Sequence, residues 1–134
     1  MNIFAIRGAV TVAGNERAEI EKKTRTLIQA MLEKNGVGPR CTPVSLIIST
    51  TSDITAFYPA RAVRESALVD VPLFSTLEPS IEGALPLCIR MLLTVSSKNK
   101  KQKAVPVYLG GAAALRPDLC RMETQNTSAE ESKE

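Results

Sequence analysis

Residues 2–9 carry Ile3, Phe4 and Ile6 in an alternating pattern, the period of a strand. Gly14-Asn15 reads as a turn with Asn15 as the expected N-cap. Glu16, Glu19 and Glu21 then fill the first turns, where acids suit the positive end of a helix dipole. From there to Asn35, Ile20, Leu27, Ile28, Met31 and Leu32, with Thr24 between them, fall on one face of an amphipathic helix of about five turns. Gly36 ends it, and GVGPR is a loop. VSLIISTT (44–51) predicts a buried strand rich in branched residues. After the loop SDITAFYP, Pro59 opens a short helix, PARAVRESAL, in which Arg61 and Arg64 share a face.

VDVPLFST (69–76) predicts another strand, with Pro72 marking an edge or a strand start. LEPSIEGALP is punctuated by turn residues. LCIRMLLTVS (87–96) is ambiguous by period alone, but ten residues bracketed by Pro86 and a Ser-Ser-Lys-Asn loop favour a strand. Its alternation places Cys88, Arg90, Leu92 and Thr94 on one face, and Ile89, Met91, Leu93 and Val95 on the other. AVPVYLGG is a short last strand, AAALRPDL a turn or single helical turn, and the final fourteen residues are polar.

No internal repeat interrupts this order. The elements predict an α+β fold with a mixed five-stranded sheet packed on one long helix. One helix covers one face of such a sheet. The other face still carries apolar residues, which predicts burial against a further copy of the chain. Residues 1–119 are expected to form a single domain, and 120–134 a polar, mobile tail.

With 134 residues and 44% hydrophobic content, the chain can build one core. It has no histidine, which excludes Ser-His-Asp and Cys-His catalysis, histidine bases and histidine metal ligands. Cys41, Cys88 and Cys120 are odd in number and widely spaced, so neither a zinc site nor a disulfide framework is expected. Reduced thiols fit a cytoplasmic setting. No apolar run reaches membrane-spanning length, and MNIFAIRGAV lacks the ordered regions of a signal peptide.

The formal net charge is +3. Residues 121–134 hold two basic and four acidic residues, so the rest of the chain carries fifteen basic and ten acidic ones. The run KNKKQK lacks the aromatic partners of a nucleic-acid surface and reads as a solvated loop. The arginines are placed differently from the lysines. Arg7 lies in FAIRGAV, Arg90 in LCIRMLL and Arg116 in AALRPDL, all apolar text. An arginine inside a buried strand costs several kcal/mol unless paired. Glu78, Glu82 or Asp118 could pair with Arg90, or its side chain could snorkel. With Arg7, Arg61, Arg64 and Arg116 in company, convergent guanidinium groups make a site for a carboxylate or dicarboxylate ligand. Spacing alone leads as far as an anion-binding pocket shared between subunits.

The blocks IRGA-x-T (Ile6 to Thr11), FYPARAVRE (Phe57 to Glu65), VPLFSTLE (Val71 to Glu78), CIRMLLTV (Cys88 to Val95) and VYLGGAAALRPDL (Val107 to Leu119) together resemble the monofunctional AroH-type chorismate mutases. The resemblance is collinear from about residue 2 to residue 119. It implies a homotrimeric pseudo-α/β-barrel (chorismate mutase II-like) with active sites at the subunit interfaces. It also implies the pericyclic rearrangement of chorismate to prephenate in aromatic amino acid biosynthesis, with no cofactor or metal. The other partner expectations are no nucleic acid and no membrane.

Carried over by position, the resemblance gives Arg90 the ether oxygen and a substrate carboxylate. It gives Arg7 and Tyr108 the side-chain carboxylate, and Glu78 the ring hydroxyl. Tyr58, Arg61 and Arg64 would come from the neighbouring chain at the pocket mouth. Leu73, Phe74 and Ser75 would line the site, and Leu115 and Arg116 would help close it. Taken without the resemblance, Tyr108 reads as a buried strand aromatic and Glu78 as a surface turn acid. Ser75 stands where the family usually has Cys, Arg61 where it has Lys, and Tyr58 where it has Phe. Two other readings share the architecture: a non-catalytic anion-binding or regulatory trimer, and an imine or enamine deaminase.

Overall fold

The computed structural model describes residues 1–115, so the expected roles of Arg116 and the tail lie outside the described residues. Five strands and two α-helices follow in the order β1 (Asn2–Thr11), α1 (Arg17–Lys34), β2 (Cys41–Thr50), α2 (Pro59–Ser66), β3 (Leu73–Leu77), β4 (Cys88–Ser97) and β5 (Val107–Leu109). A 3₁₀ turn, Gly110–Ala114, follows β5. The strands form one mixed sheet in the order β3-β2-β4-β1-β5. The pairings β1–β4 and β2–β4 are antiparallel, while β2–β3 and β1–β5 are parallel. This is the expected mixed five-stranded α+β sheet. β3 is an edge strand that starts one residue after Pro72, so the proline's missing N–H costs no ladder bond. Pro43 lies inside β2, where a register shift between Pro43 and Ser45 accommodates it.

The expectation of a single covering helix is corrected. α2 packs beside α1 and extends the cover over the β3 side of the sheet. A short segment opening on Pro59 offers too few turns for a visible apolar period, yet Pro59, Ala60, Ala62 and Val63 are all buried. α1 buries Ile20, Thr24, Leu27, Ile28 and Met31 against the sheet, so the long apolar stripe forms as its spacing requires. Its N-cap is Glu16, in extended backbone and without a side-chain capping bond, rather than Asn15. The Asn15 side chain is engaged elsewhere. Its Oδ1 accepts from the N–H groups of Thr55 and Ala56, both at 2.9 Å, and its Nδ2 donates to Thr55 Oγ1 at 2.7 Å. A polar residue before a helix can cap it or tie down a distant loop, and here the loop before α2 takes it.

The core lies between the sheet and the helices. Ile6 and Val10 of β1, Leu46 and Ile48 of β2, and Ile89, Leu93 and Val95 of β4 are buried there against Ile20, Leu27, Ile28 and Met31 of α1. Gly8 lets Met31 approach. A Cβ at Gly8 would sit 2.3 Å from Met31 Sδ, so the residue after Arg7 has no room for a side chain. At the far end of α1, buried Asn35 donates from Nδ2 to the carbonyls of Met31 (2.8 Å) and Val105 (3.0 Å). Its Oδ1 accepts from Val105 N at 2.7 Å. This fixes the approach to β5, and hence the position of Tyr108.

Candidate active site

Among the described residues, no α-helix lies over the opposite face of the sheet. The pairings Ala9↔Arg90 and Ser49↔Arg90 put Arg90 in the centre of one row of residues that runs through β1, β4 and β2, and Ala9↔Tyr108 adds β5. The next row joins Arg7↔Leu92, Ile47↔Leu92 and Ile47↔Phe74. Strand alternation thus places Arg7, Arg90 and Tyr108, from three strands, on one surface. Glu78 follows β3 directly, and its N–H donates to Thr50 O at 2.8 Å, which brings the carboxylate to the same surface.

Together Arg7, Glu78, Arg90 and Tyr108 line a pocket of about 220 Å³, completed by Gly8, Ala9, Ile47, Ser49, Met91 and Leu92. Of these, Ile47 and Ser49 escaped the sequence reading, because only the register of β2 against β4 brings them beside Arg90. Arg90 is not buried, contrary to expectation: its side chain is 46% exposed, while that of Glu78 is 21% exposed. The strand is interior, but alternation turns this position away from the core. Arg90 Nε lies 3.7 Å from Glu78 Oε1, an ion-pair distance too long for a hydrogen bond. The pairing acid is Glu78, and the pair sits beside a cavity rather than closing it.

Cys88 sits two residues before Arg90 on the same face, covered by a small cluster with Ala9 and Ala112 and flanked by Leu85, Tyr108 and Leu115. Burial pushes its thiol pKa up, and the nearby Arg90 charge only partly offsets this, so the group is a neutral apolar filler at physiological pH. The 3₁₀ turn that carries Leu115 to this cluster is anchored by Gly111 N donating to Thr11 Oγ1 at 2.9 Å. Gly110, at φ +59, makes that turn with Thr11 Oγ1 only 3.0 Å from where a Cβ would stand.

The remaining expected residues lie elsewhere. Tyr58 and Ser75 line a second, larger cavity of about 590 Å³ with Ile48, Thr50, Phe57 and Leu77. Ile48 and Ser75 point to the helix side of the sheet, so this cavity and the Arg90 pocket open on opposite faces. Tyr58 is 72% exposed and Phe74 68% exposed. Leu73 packs partly into the main core. Arg61 does not stand at an open mouth within the chain. Its Nε donates to Glu65 Oε1 at 2.8 Å, and its guanidinium lies 5.3 Å from the centre of the Phe57 ring, which Arg17 also approaches at 4.6 Å. The Arg61 hydrogen bond holds the Glu65 carboxyl below its usual range. Arg64 is exposed on α2. The chain therefore assembles Arg7, Glu78, Arg90 and Tyr108, and leaves Tyr58, Arg61, Arg64, Leu73, Phe74 and Ser75 outside that pocket.

Two guanidinium groups, a phenol and one carboxylate thus stand together on an open sheet face of an α+β protein, a donor set whose chemistry matches a small carboxylate-bearing anion. The family model described as chorismate mutase type I matches residues 3–119, and the chain belongs to that family. It is 38% identical over 117 residues to a protein named chorismate mutase AroH from Thermus thermophilus, which spans 87% of this chain and 96% of that protein. It is also 38% identical over 128 residues to chorismate mutase AroH from Bacillus subtilis (strain 168), with 95% and 98% coverage. A solved chorismate mutase from Clostridium thermocellum superposes with a TM-score of 0.76 at 36% identity, covering 83% of this chain and 98% of that one.

Proposed function

We propose that the chain is a cofactor-free chorismate mutase in which fixed charge does the work of catalysis. Family membership gives the reaction class, the isomerisation of chorismate to prephenate. That rearrangement is unimolecular and transfers no proton, so it needs two services from a protein. One is to hold the flexible substrate in its compact diaxial conformer. The other is to stabilise charge as the ether C–O bond breaks, when the oxygen becomes negative and the ring positive.

The observation that carries the reading is the convergence of Arg7, Glu78, Arg90 and Tyr108 on one pocket. Arg90, central in its row, faces the ether oxygen and a carboxylate with its planar fork. Arg7 and Tyr108 take the side-chain carboxylate. Glu78, beside Arg90, accepts from the ring hydroxyl and lies near the developing positive ring.

The second half of the site comes from a neighbouring copy in a homotrimer. Three things support this. The Arg90 pocket, at about 220 Å³, falls below the roughly 300–1,000 Å³ of self-sufficient ligand sites. Ile3, Ile47, Phe74 and Leu92 leave an apolar surface around it that a soluble monomer would not keep. Tyr58, Arg61, Arg64, Leu73 and Ser75 lie where a single chain cannot use them with Arg90, but a partner's set could. Arg61 would then exchange Glu65 for the ligand. Leu115 and Arg116 would close the pocket. Residues 1–119 act as one catalytic domain, working in the cytoplasm. Among the described residues, no helix is long and apolar enough to cross a membrane.

Purified protein mixed with chorismate tests the activity through loss of chorismate's ultraviolet absorbance with prephenate as the product, and sedimentation gives the number of chains. Turnover by a three-chain species is expected. No turnover, or full turnover by a monomer, would overturn the corresponding half of the reading.

A further inference from the structure

The stretch from Thr50 to Asp53 joins parts of the site that no single strand connects. Thr50 O accepts from Glu78 N at 2.8 Å, and Thr51 N donates to Cys88 O at 3.1 Å. Cys88 N donates back to Thr51 Oγ1 at 3.0 Å. The Thr51 hydroxyl spends its one proton on Asp53 Oδ1, and Asp53 Oδ2 accepts from Leu87 N at 2.9 Å. Leu87 stands at φ +51, an uncommon backbone state for a leucine, with its carbonyl accepting from Val12 N at 2.9 Å.

The ladder between β2 and β4 ends at Thr50↔Ile89. Beyond it, the side chains of Thr51 and Asp53 supply the acceptors that a strand partner would have supplied to Cys88 N and Leu87 N. A carboxylate suits the task because both of its oxygens accept. An amide offers one acceptor and would turn an N–H toward one of the two donors. By accepting the Thr51 hydroxyl's hydrogen bond, Asp53 also aims that hydroxyl's lone pairs at Cys88 N. The Thr51 hydrogen bond in turn holds the Asp53 carboxyl below its usual range, so the clamp is ionised at neutral pH.

We propose that Asp53 is a positioning residue for the reaction: through Thr51 and Leu87 it fixes the first residues of β4, and so the placement of the Arg90 guanidinium against the Glu78 carboxylate. Both partners hang from this stretch, Glu78 from Thr50 O and Arg90 two residues after the clamped Cys88. The Glu78–Arg90 contact itself is loose, at 3.7 Å, so the backbone tethers must set their separation. The inference rests on the roles given above to Arg90 and Glu78. A misplaced guanidinium loses more stabilisation at the breaking ether bond than in substrate binding, which Arg7 and Tyr108 share.

The test compares Asp53→Asn, Thr51→Val and the conservative Thr51→Ser with wild type, by steady-state kinetics on chorismate well below each melting temperature. The Nε–H resonance of Arg90 is recorded in ¹⁵N spectra of the same proteins without substrate. Asp53→Asn and Thr51→Val are expected to lower kcat by about 10- to 100-fold with KM held within about threefold, and to move the Arg90 resonance, while Thr51→Ser restores both. Wild-type kcat in Asp53→Asn, a rise in KM alone, or lost turnover with an unmoved Arg90 resonance would overturn the proposal. A wild-type protein that leaves chorismate unchanged would instead refute the functional reading. The clamp would then stand or fall on whether the Arg90 resonance moves in Asp53→Asn.

Discussion

Along β4, Ile89, Met91, Leu93 and Val95 lie under the helices, whereas Arg90, Leu92 and Thr94 point to the bare side of the same sheet. Leu92 is 36% exposed and its neighbour Leu93 fully buried, although both are leucines in the same strand. One face is complete within a single chain. The other carries charge at its centre and exposed apolar residues around it, the kind of surface that the proposed second copy would cover. The difference shows how one strand can serve two tasks. Residues of one parity make the core, and residues of the other carry the proposed site.

The largest expected effect falls on the site side. Arg90→Ala should lower kcat by about 100- to 1,000-fold while the melting temperature stays close to wild type, because one preorganised donor is removed and no core contact is lost. Arg90→Lys should be impaired nearly as severely, since it keeps the charge and loses the planar fork. A lysine variant with wild-type kcat would mean that charge alone suffices.

The next effect separates the two leucines. Leu93→Ala should cost about 2–5 kcal/mol in chemical denaturation, whatever the protein concentration, as a cavity in a closed core does. Leu92→Ala should leave the isolated chain within about 0.5 kcal/mol of wild type but lower the melting temperature more at low than at high protein concentration, as loss of an interchain contact does. Equal, concentration-independent losses from both would show that the bare face is not an interface.

The smallest effect is a pH dependence. Asp53 has a folded-state pKa below its ordinary value, chiefly through the Thr51 hydroxyl. A carboxyl shifted down contributes stability that is present above its unfolded pKa, near ~4, and is lost as pH falls through the folded pKa. Wild type should therefore lose slightly more stability than Asp53→Asn between about pH 5 and pH 3, measured by thermal melts across that range. The effect on stability is expected to be small because Asp53 is exposed and solvent screens its interactions. Parallel curves would mean that the clamp is as strong with an amide.

The alternation in LCIRMLLTVS, the stripe from Ile20 to Met31 and the proline before β3 were legible as sequence because each is a local period or a local backbone restriction. The collinear blocks around Arg7, Glu78 and Arg90 pointed to the same pocket that the fold assembles. Less was legible where a residue acts at long range. Asn15 ties down a loop forty residues away instead of capping α1. Arg61 engages Glu65 and Phe57. Asp53 bonds Leu87, thirty-four positions on, and no pattern in SDITAFYP marked it.

By itself the sequence determined which positions of the strand at 87–96 share a face, where the long helix runs, and that chemistry without histidine must rest on arginines, carboxylates, hydroxyls and backbone groups. Those properties follow from near-neighbour geometry and side-chain chemistry. Only the tertiary structure decided that Arg90 faces outward, that Ile47 and Ser49 stand beside it, that α2 completes the cover, and that Tyr58 and Ser75 open on the opposite face. Strand order and register set these, and they depend on which distant segments bury surface together.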